Sequence, residues 1–475
     1  MKRFILVVIT IYVQSVCAQE LCGLGCVYDP IADGNALRTA TLLTRDYVSL
    51  PRAYSLKKYC PQPKSQERYG TCTSWATAYA ARTICEAISL GWTNTENITA
   101  EAFSPIFVYK NIDKVSECED GISIAKALEL IKTTGVPKYT SFPVLCADYV
   151  PRSLFDEAQR YRIDGYTKLF DQDYNWTTKK WEDNTPASVK LSTIKKAISQ
   201  NHPVVISMNC YESFSVWGES VWNGIQDKFR SEGERHALCV VGYDDDKFGG
   251  AFEIMNSWGT RWGDGGFIWV RYEDFCKNTP YAYDVYVAKR YSPVPPPKTN
   301  KLSGEVRIQL GGGKNVQTTQ KTNGNITYFA LTGSYLVGQQ YRIYMSNNEP
   351  GYLYLIGSDE DKNDVLLFPA KGESPLLAYN KNNIAFPNEQ TNIKMNKGPK
   401  EYLCFLFSKK ELDISSFMDK TRNSNGSFYS RITKAIGSDM IPSEDVKLTQ
   451  NNKMSFNSLS DYSIFPLFVE YAVNE

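Results

Sequence analysis

Apolar positions along this 475-residue chain change their period twice. An alanine-rich stretch places Ala76, Ala80, Ile84 and Ala87 at helical spacing, so one face of a helix is expected to pack on a core. Ser104 to Lys110 suggests a second short helix. Ile124, Leu128 and Ile131 mark a third, stopped by Gly135-Val136-Pro137. Leu191 to Ser199 reads as a further helix, and Pro203 to Met208 as a buried strand. Past residue 236 the period shortens. Leu238 to Tyr243, Phe252 to Met255, Gly266 to Tyr272 and Val285 to Arg290 are short apolar or alternating runs separated by Gly and Asp, the pattern of an antiparallel sheet or barrel. The last third is strand-like again, at Gln340 to Met345, Gly351 to Ile356, Val365 to Pro369 and Tyr402 to Phe407, with a turn at Lys362-Asn363-Asp364.

Boundaries follow from the breaks in this pattern. A basic start, the apolar run Ile5 to Val13 and the small-residue site Val16-Cys17-Ala18 predict a secretory signal peptide over residues 1–18, cut after Ala18. That run is well short of the roughly 20 residues of a spanning helix. The mature chain is therefore expected to lack a transmembrane anchor and to be secreted or periplasmic. Residues 19–47 form a short lead, 48–292 a first domain, 293–303 a Pro-rich linker opening on Pro293-Val294-Pro295-Pro296-Pro297, and 304–475 a β-rich second domain. Residues 147–190, polar and aromatic, read as an insertion, and Tyr211 to Gly233 as a long loop ahead of His236.

Charge narrows the partners. Fifty-three basic and 52 acidic residues give a net charge of +1, so no bulk attraction toward nucleic acid is expected. Of twelve cysteines, ten remain after Cys17 leaves with the signal and Cys72 is set aside, an even number compatible with disulfides in an oxidising compartment. Cys239 and Cys404 are expected to be free and buried. Cys22 and Cys26 read as a disulfide to the body of the first domain rather than as metal ligands. Asp244-Asp245-Asp246 reads as a solvated turn, with a calcium loop as the alternative. No metal or cofactor is called for. Four Asn-x-Ser/Thr sequons begin at Asn97, Asn175, Asn325 and Asn425.

The chemistry gathers on few residues. Cys72 opens the alanine-rich helix, where unpaired N–H groups and the helix dipole favour a thiolate. The competing reading is a buried structural thiol. Gln66, six residues earlier, carries an amide able to donate to an oxyanion. There are only two histidines. His202, without a motif, is assigned a solvent or turn role, whereas His236 begins an apolar run. Asn256 follows in Asn256-Ser257-Trp258-Gly259.

Cysteine, then histidine, then an Asn-Ser-Trp-Gly segment resembles the papain-like cysteine peptidases. The resemblance covers about residues 48–292, and its start resembles the family's mature N-terminus at Leu50-Pro51. It implies an α+β, papain-like two-lobed fold, with a helical lobe carrying Cys72 and an antiparallel β-barrel lobe carrying His236 and Asn256. It further implies Cys72 as nucleophile, His236 as acid and base, Asn256 orienting His236, Gln66 in the oxyanion hole, Trp258 shielding the His–Asn bond, and Gly121 pairing with extended substrate. Gly121 also reads as a turn glycine of positive φ. Protein or peptide substrates are expected. Three departures stand out. Tyr69 replaces a disulfide cysteine, so Cys118 needs another partner or stays free. Thr73 replaces the tryptophan after the nucleophile, and Asp120 the first of two glycines. The lead of about 29 residues resembles no longer inhibitory propeptide, which leaves open whether it blocks the site. The C-terminal runs resemble a β-rich domain found beside peptidases in bacterial exported proteins. That domain is expected to be all-β, a sandwich serving targeting or substrate tethering, or else a structural appendage. An amidase or transpeptidase using the same triad, and a non-catalytic surface protein, are the alternatives to an endopeptidase.

Overall fold

The computed structural model describes residues 22–112, 118–215, 219–230, 235–287, 301–333, 335–396, 398, 400–450 and 453–474. The signal peptide and most of the Pro-rich linker lie outside the described residues. Among the described residues no helix is long and apolar enough to cross a membrane.

The Cys72 helix forms the centre of the first region. Cys72–Ser74 is α-helical, Trp75–Arg82 winds as a π-helix and Thr83–Leu90 returns to α. The wider turns let hydroxyls bond carbonyls behind them: Thr77 Oγ1 donates to Thr73 O at 2.8 Å and Thr83 Oγ1 to Ala78 O at 3.4 Å. Every residue of the π segment is buried, so the helix is enclosed rather than packed on one face. Helices Pro105–Lys110 and Ile124–Thr133 lie against it, each opened by a serine cap. Ser104 accepts from Phe107 N and Ser123 from Lys126 N.

The strands of this region are β1 Ala53–Ser55, β2 Gly165–Phe170, β3 Val204–Met208, β4 His236–Asp244, β5 Ala251–Met255, β6 Phe267–Arg271 and β7 Tyr281–Tyr286. They form one seven-stranded sheet in the order β2-β7-β3-β4-β5-β6, with β1 also on β4. β3 and β4 pair antiparallel, setting Met208 opposite His236. Both are buried along their length, which is why neither shows polar alternation. Two expectations are corrected here. The stretch 147–190 is not only a surface insertion, since β2 joins the sheet from inside it. The last strand runs from Tyr281 rather than Val285, because β3 holds it from Ser207↔Tyr281 onward.

Residues 302–474 contribute two large sheets. A six-stranded sheet runs through Asn383–Phe386, Gln340–Asn347, Leu302–Leu310, Met454–Ser458 and Val446–Gln450, with Ile393–Lys394 beside Gln340–Asn347. A seven-stranded sheet runs through Gln317–Asn323, Ile326–Thr332, Ile464–Tyr471, Glu401–Ser408, Gly351–Asp359 and Val365–Phe368, with Leu376–Leu377 beside Gly351–Asp359. The two touch ring to ring, Phe407 lying 4.8 Å from Phe456. The region is not purely strand, however. Helices Ile414–Arg422 and Phe428–Ile436 cover the other face of the second sheet. Leu353 and Leu355 face one core and Tyr354 and Ile356 the other, the period-2 alternation of a strand buried on both sides.

The lead is packed along both regions. Thr39 N donates to Lys168 O at 3.0 Å, while Arg38 N donates to Gly372 O at 2.9 Å and Leu43 N to Asn383 O at 3.0 Å. Asn383 Nδ2 donates to Asp46 Oδ1 at 2.8 Å. His202, expected at the surface, is buried: its Nδ1 lies 2.9 Å from Asp284 Oδ1, and its ring sits 5.3 Å from Tyr286 and 5.2 Å from Tyr379. The Asp244–Asp246 turn is tied to side chains, Asp245 to Lys195 and Tyr272, and Asp246 to Arg52.

Candidate active site

The Cys72 thiol is fully buried at the first residue of its helix. It accepts from Ala237 N at 3.3 Å, so the sulfur lies at the head of β4, next to His236. His236 Nε2 is 2.7 Å from Asn256 Oδ1. That oxygen also accepts from Ser257 N at 2.7 Å, which identifies it as the carbonyl end of the amide. Nε2 therefore carries the ring proton, and Nδ1 is left as an acceptor. Among the described residues, Nδ1 is buried with no hydrogen-bond partner. Trp258 stacks on the imidazole at 4.5 Å and an interplanar angle of 24°. Burial, reinforced by the Arg230 charge and opposed by the Asn256 bond, pushes the His236 imidazole down to about 3. The ring is neutral in this arrangement.

Gln66 is held by its backbone and both ends of its side chain. Its N donates to Ser257 O at 2.8 Å, and its Oε1 accepts from Ser257 Oγ at 2.6 Å. Its Nε2 donates to Tyr69 O at 2.8 Å and to Gly23 O at 3.1 Å. The structure thus brings Gln66, Cys72, His236, Asn256 and Trp258 together. Residues 53–285 match the sequence model of the papain family of cysteine proteases.

This region is a cysteine-type peptidase.

The curated relatives agree with that description. An uncharacterised peptidase C1-like protein of Acanthamoeba polyphaga mimivirus is 25% identical over 252 residues, covering 50% of this chain and 68% of its own. Cathepsin L of Sarcophaga peregrina is 35% identical over 77 residues, covering 16% of this chain and 22% of its own. Peptidase 1 of Dermatophagoides farinae is 24% identical over 229 residues, covering 46% and 60%. Among solved structures, xylellain, a cysteine protease from Xylella fastidiosa, aligns with a TM-score of 0.42 at 21% identity, covering 57% of this chain and 98% of its own.

The chain's own lead is hydrogen-bonded to segments on either side of these residues. Besides its bond to Gln66, Gly23 donates its N–H to Glu67 O at 2.8 Å. Cys26 pairs with both walls. It exchanges bonds of 3.0 Å in each direction with the Arg235 backbone, while Gly25 O accepts from Ile122 N at 3.1 Å and Val27 N donates to Ile122 O at 3.3 Å. Thr73, at the position expected for tryptophan, donates Oγ1 to Gly25 O and Ile122 O, both at 3.1 Å. The φ of Gly121 is not positive. The lead pairs with its neighbour Ile122. Gly121 leaves room instead, since a Cβ there would lie 2.8 Å from Val27 Cγ1 and 2.9 Å from Gly25 C.

Two cysteine expectations also change. Cys22 and Cys26 are free, and the one disulfide among the described residues joins Cys118 to Cys146. Cys118 thus finds its partner in a loop 28 residues on, which no spacing rule indicates. Sequence reasoning missed Ser257, which locks Gln66, and Arg230, whose guanidinium lies 4.7 Å from the Trp258 ring and donates to Cys22 O. Arg235, the residue before His236, has its guanidinium tied to Asn209 at 3.0 Å and Gln172 at 3.1 Å.

Proposed function

We propose that this chain is a secreted papain-like cysteine endopeptidase, produced latent and released by displacement of residues 22–28. The observation that carries the reading is the free Nδ1 of a neutral imidazole whose Nε2–H is fixed on Asn256, beside a thiol at a helix start. Nδ1 takes the Cys72 proton. The thiolate, favoured by the helix N-terminus, attacks the scissile carbonyl carbon. The carbonyl oxygen becomes an oxyanion that accepts from Gln66 Nε2 and the Cys72 N–H, a donor of this kind contributing about 3 kcal/mol. The imidazolium gives its proton to the leaving amine as the C–N bond breaks. It then takes a proton from the water that cleaves the thioester.

The lead supports latency because its Gly23 carbonyl takes the Gln66 donor that an oxyanion needs. The signal peptide read at residues 1–18 supports export. The proposed units are the peptidase domain at 48–292 and a β-sandwich at 304–475, whose helices 414–422 and 428–436 flank one sheet; its tethering role belongs to the same proposal.

Gly25 provides the test. Its φ is +139° and a Cβ would lie 1.9 Å from Gly70 O, so alanine cannot take its place without moving the lead. Strain of this kind costs about 1–3 kcal/mol. Gly25→Ala is expected to raise hydrolysis of a fluorogenic casein by about tenfold or more over the native chain. Equal rates would refute latency, and no hydrolysis by either would refute the peptidase reading.

A further inference from the structure

We infer that the cleft selects peptides placing a small, hydrogen-bonding side chain and a tyrosine two residues apart, in sockets that Cys26 and Tyr28 of the lead now fill. The inference rests on the peptidase reading above.

The first socket is closed and lined by hydroxyls. Cys26 is 1% exposed. Its Sγ donates to Ser207 Oγ at 3.4 Å and lies 3.5 Å from Tyr281 OH. Ser207 and Tyr281 are themselves fully buried, on the adjacent strands β3 and β7, and so cannot swing away. A serine, threonine or cysteine side chain fits this space and satisfies both hydroxyls. A leucine or phenylalanine overfills it and offers neither hydroxyl a bond, and overfilling is costly in a buried site.

The second socket is aromatic with one acid. The Tyr28 ring lies 4.6 Å from Trp181 and 5.1 Å from Tyr281, and its OH donates to Asp171 Oδ2 at 3.2 Å. Asp171 is buried and fixed by Lys168. An acceptor on a buried carboxylate distinguishes tyrosine from phenylalanine. In an extended chain, residues i and i+2 point to one side, so a single strand reaches both sockets. The walls define the sockets whichever way that strand runs.

The test uses the full-length Gly25→Ala chain and synthetic peptides carrying Ser-x-Tyr, Leu-x-Tyr, Ser-x-Phe or Ser-x-Ala, each also in reversed order. Ser-x-Tyr peptides, in one of the two orders, are expected to show a kcat/KM at least about tenfold above the Leu-x-Tyr and Ser-x-Ala peptides, with Ser-x-Phe between. Ser207→Ala should narrow the gap between serine and leucine by lowering the serine peptide alone. In the otherwise native chain, Cys26→Ser should stay latent, whereas Cys26→Phe should speed alkylation of Cys72. Tyr28→Ala, which vacates a socket without overfilling one, should do the same and serves if Cys26→Phe fails to fold. Hydrolysis that prefers the leucine peptides, or ignores both positions, overturns the inference and leaves the peptidase reading intact. Hydrolysis of neither these peptides nor casein overturns both.

Discussion

Replacing His236 by alanine in the Gly25→Ala chain is expected to lower kcat/KM by roughly 10⁴- to 10⁶-fold. The size follows from how many steps depend on one ring. Among the described residues, Nδ1 is a buried acceptor without a hydrogen-bond partner, on the residue next to the one that holds the Cys72 sulfur, and the same proton must later reach the leaving amine. Folding should survive the change. The neutral ring makes one hydrogen bond and stacks on Trp258, while its protonated form is strongly disfavoured by burial. Asn256→Ala should cost less, because Trp258 still holds the ring plane. A loss below tenfold for His236→Ala, measured on the same fluorogenic casein, would remove the imidazole from the mechanism.

Glu86→Ala is expected to be the most damaging change outside the site, costing about 3–5 kcal/mol of stability. Glu86 Oε2 lies 2.8 Å from Arg82 NH1, with the two side chains 9% and 0% exposed. Arg82 also lies over the Phe103 ring at 4.4 Å, and Lys138 lies over the same ring at 4.1 Å. Removing the carboxylate takes the buried partner of the Arg82 guanidinium away while Lys138 stays over the same Phe103 ring. The urea midpoint followed by tryptophan fluorescence should fall sharply, and Glu86→Gln should fall less, since its amide still accepts from Arg82. An unchanged midpoint would contradict the account of that helix.

Much of the site could be read from the chain because it rests on residue types in a fixed order. His236 opens β4, Asn256 directly follows β5 beside it, and the start of the Cys72 helix is held at the head of β4. What could not be read depends on contacts between distant backbones. The lead engages the cleft chiefly through carbonyls and N–H groups, which every sequence has. The residues that permit this are glycines, and Gly23 and Gly25 signal no partner by themselves. His202 looked like a surface residue because Asp284 and Tyr379, which enclose it, are remote in the chain. The C-terminal strands were legible where both faces are buried and the runs are continuously apolar. The helices at 414–436 were not, since Ser, Lys and Asp dilute an apolar face made of Phe417, Met418, Thr421, Phe428, Ile432 and Ile436. The positive φ expected of Gly121 was not needed, because the close approach of Gly25 and Val27 asks of it only the missing Cβ.

The most direct measurement is covalent labelling by an epoxysuccinyl peptide, with mass-spectrometric mapping, on the native and Gly25→Ala chains. The account predicts one adduct, on Cys72, forming slowly in the native chain and rapidly in the variant. The other free cysteines are held above the usual thiol range by desolvation, Cys26, Cys60, Cys85, Cys210, Cys239 and Cys404 buried and Cys22 and Cys276 half-buried, so they should stay unlabelled. A folded Gly25→Ala chain with no adduct on Cys72, or one labelled no faster than the native chain, would contradict the claim that an activated thiol waits behind residues 22–28.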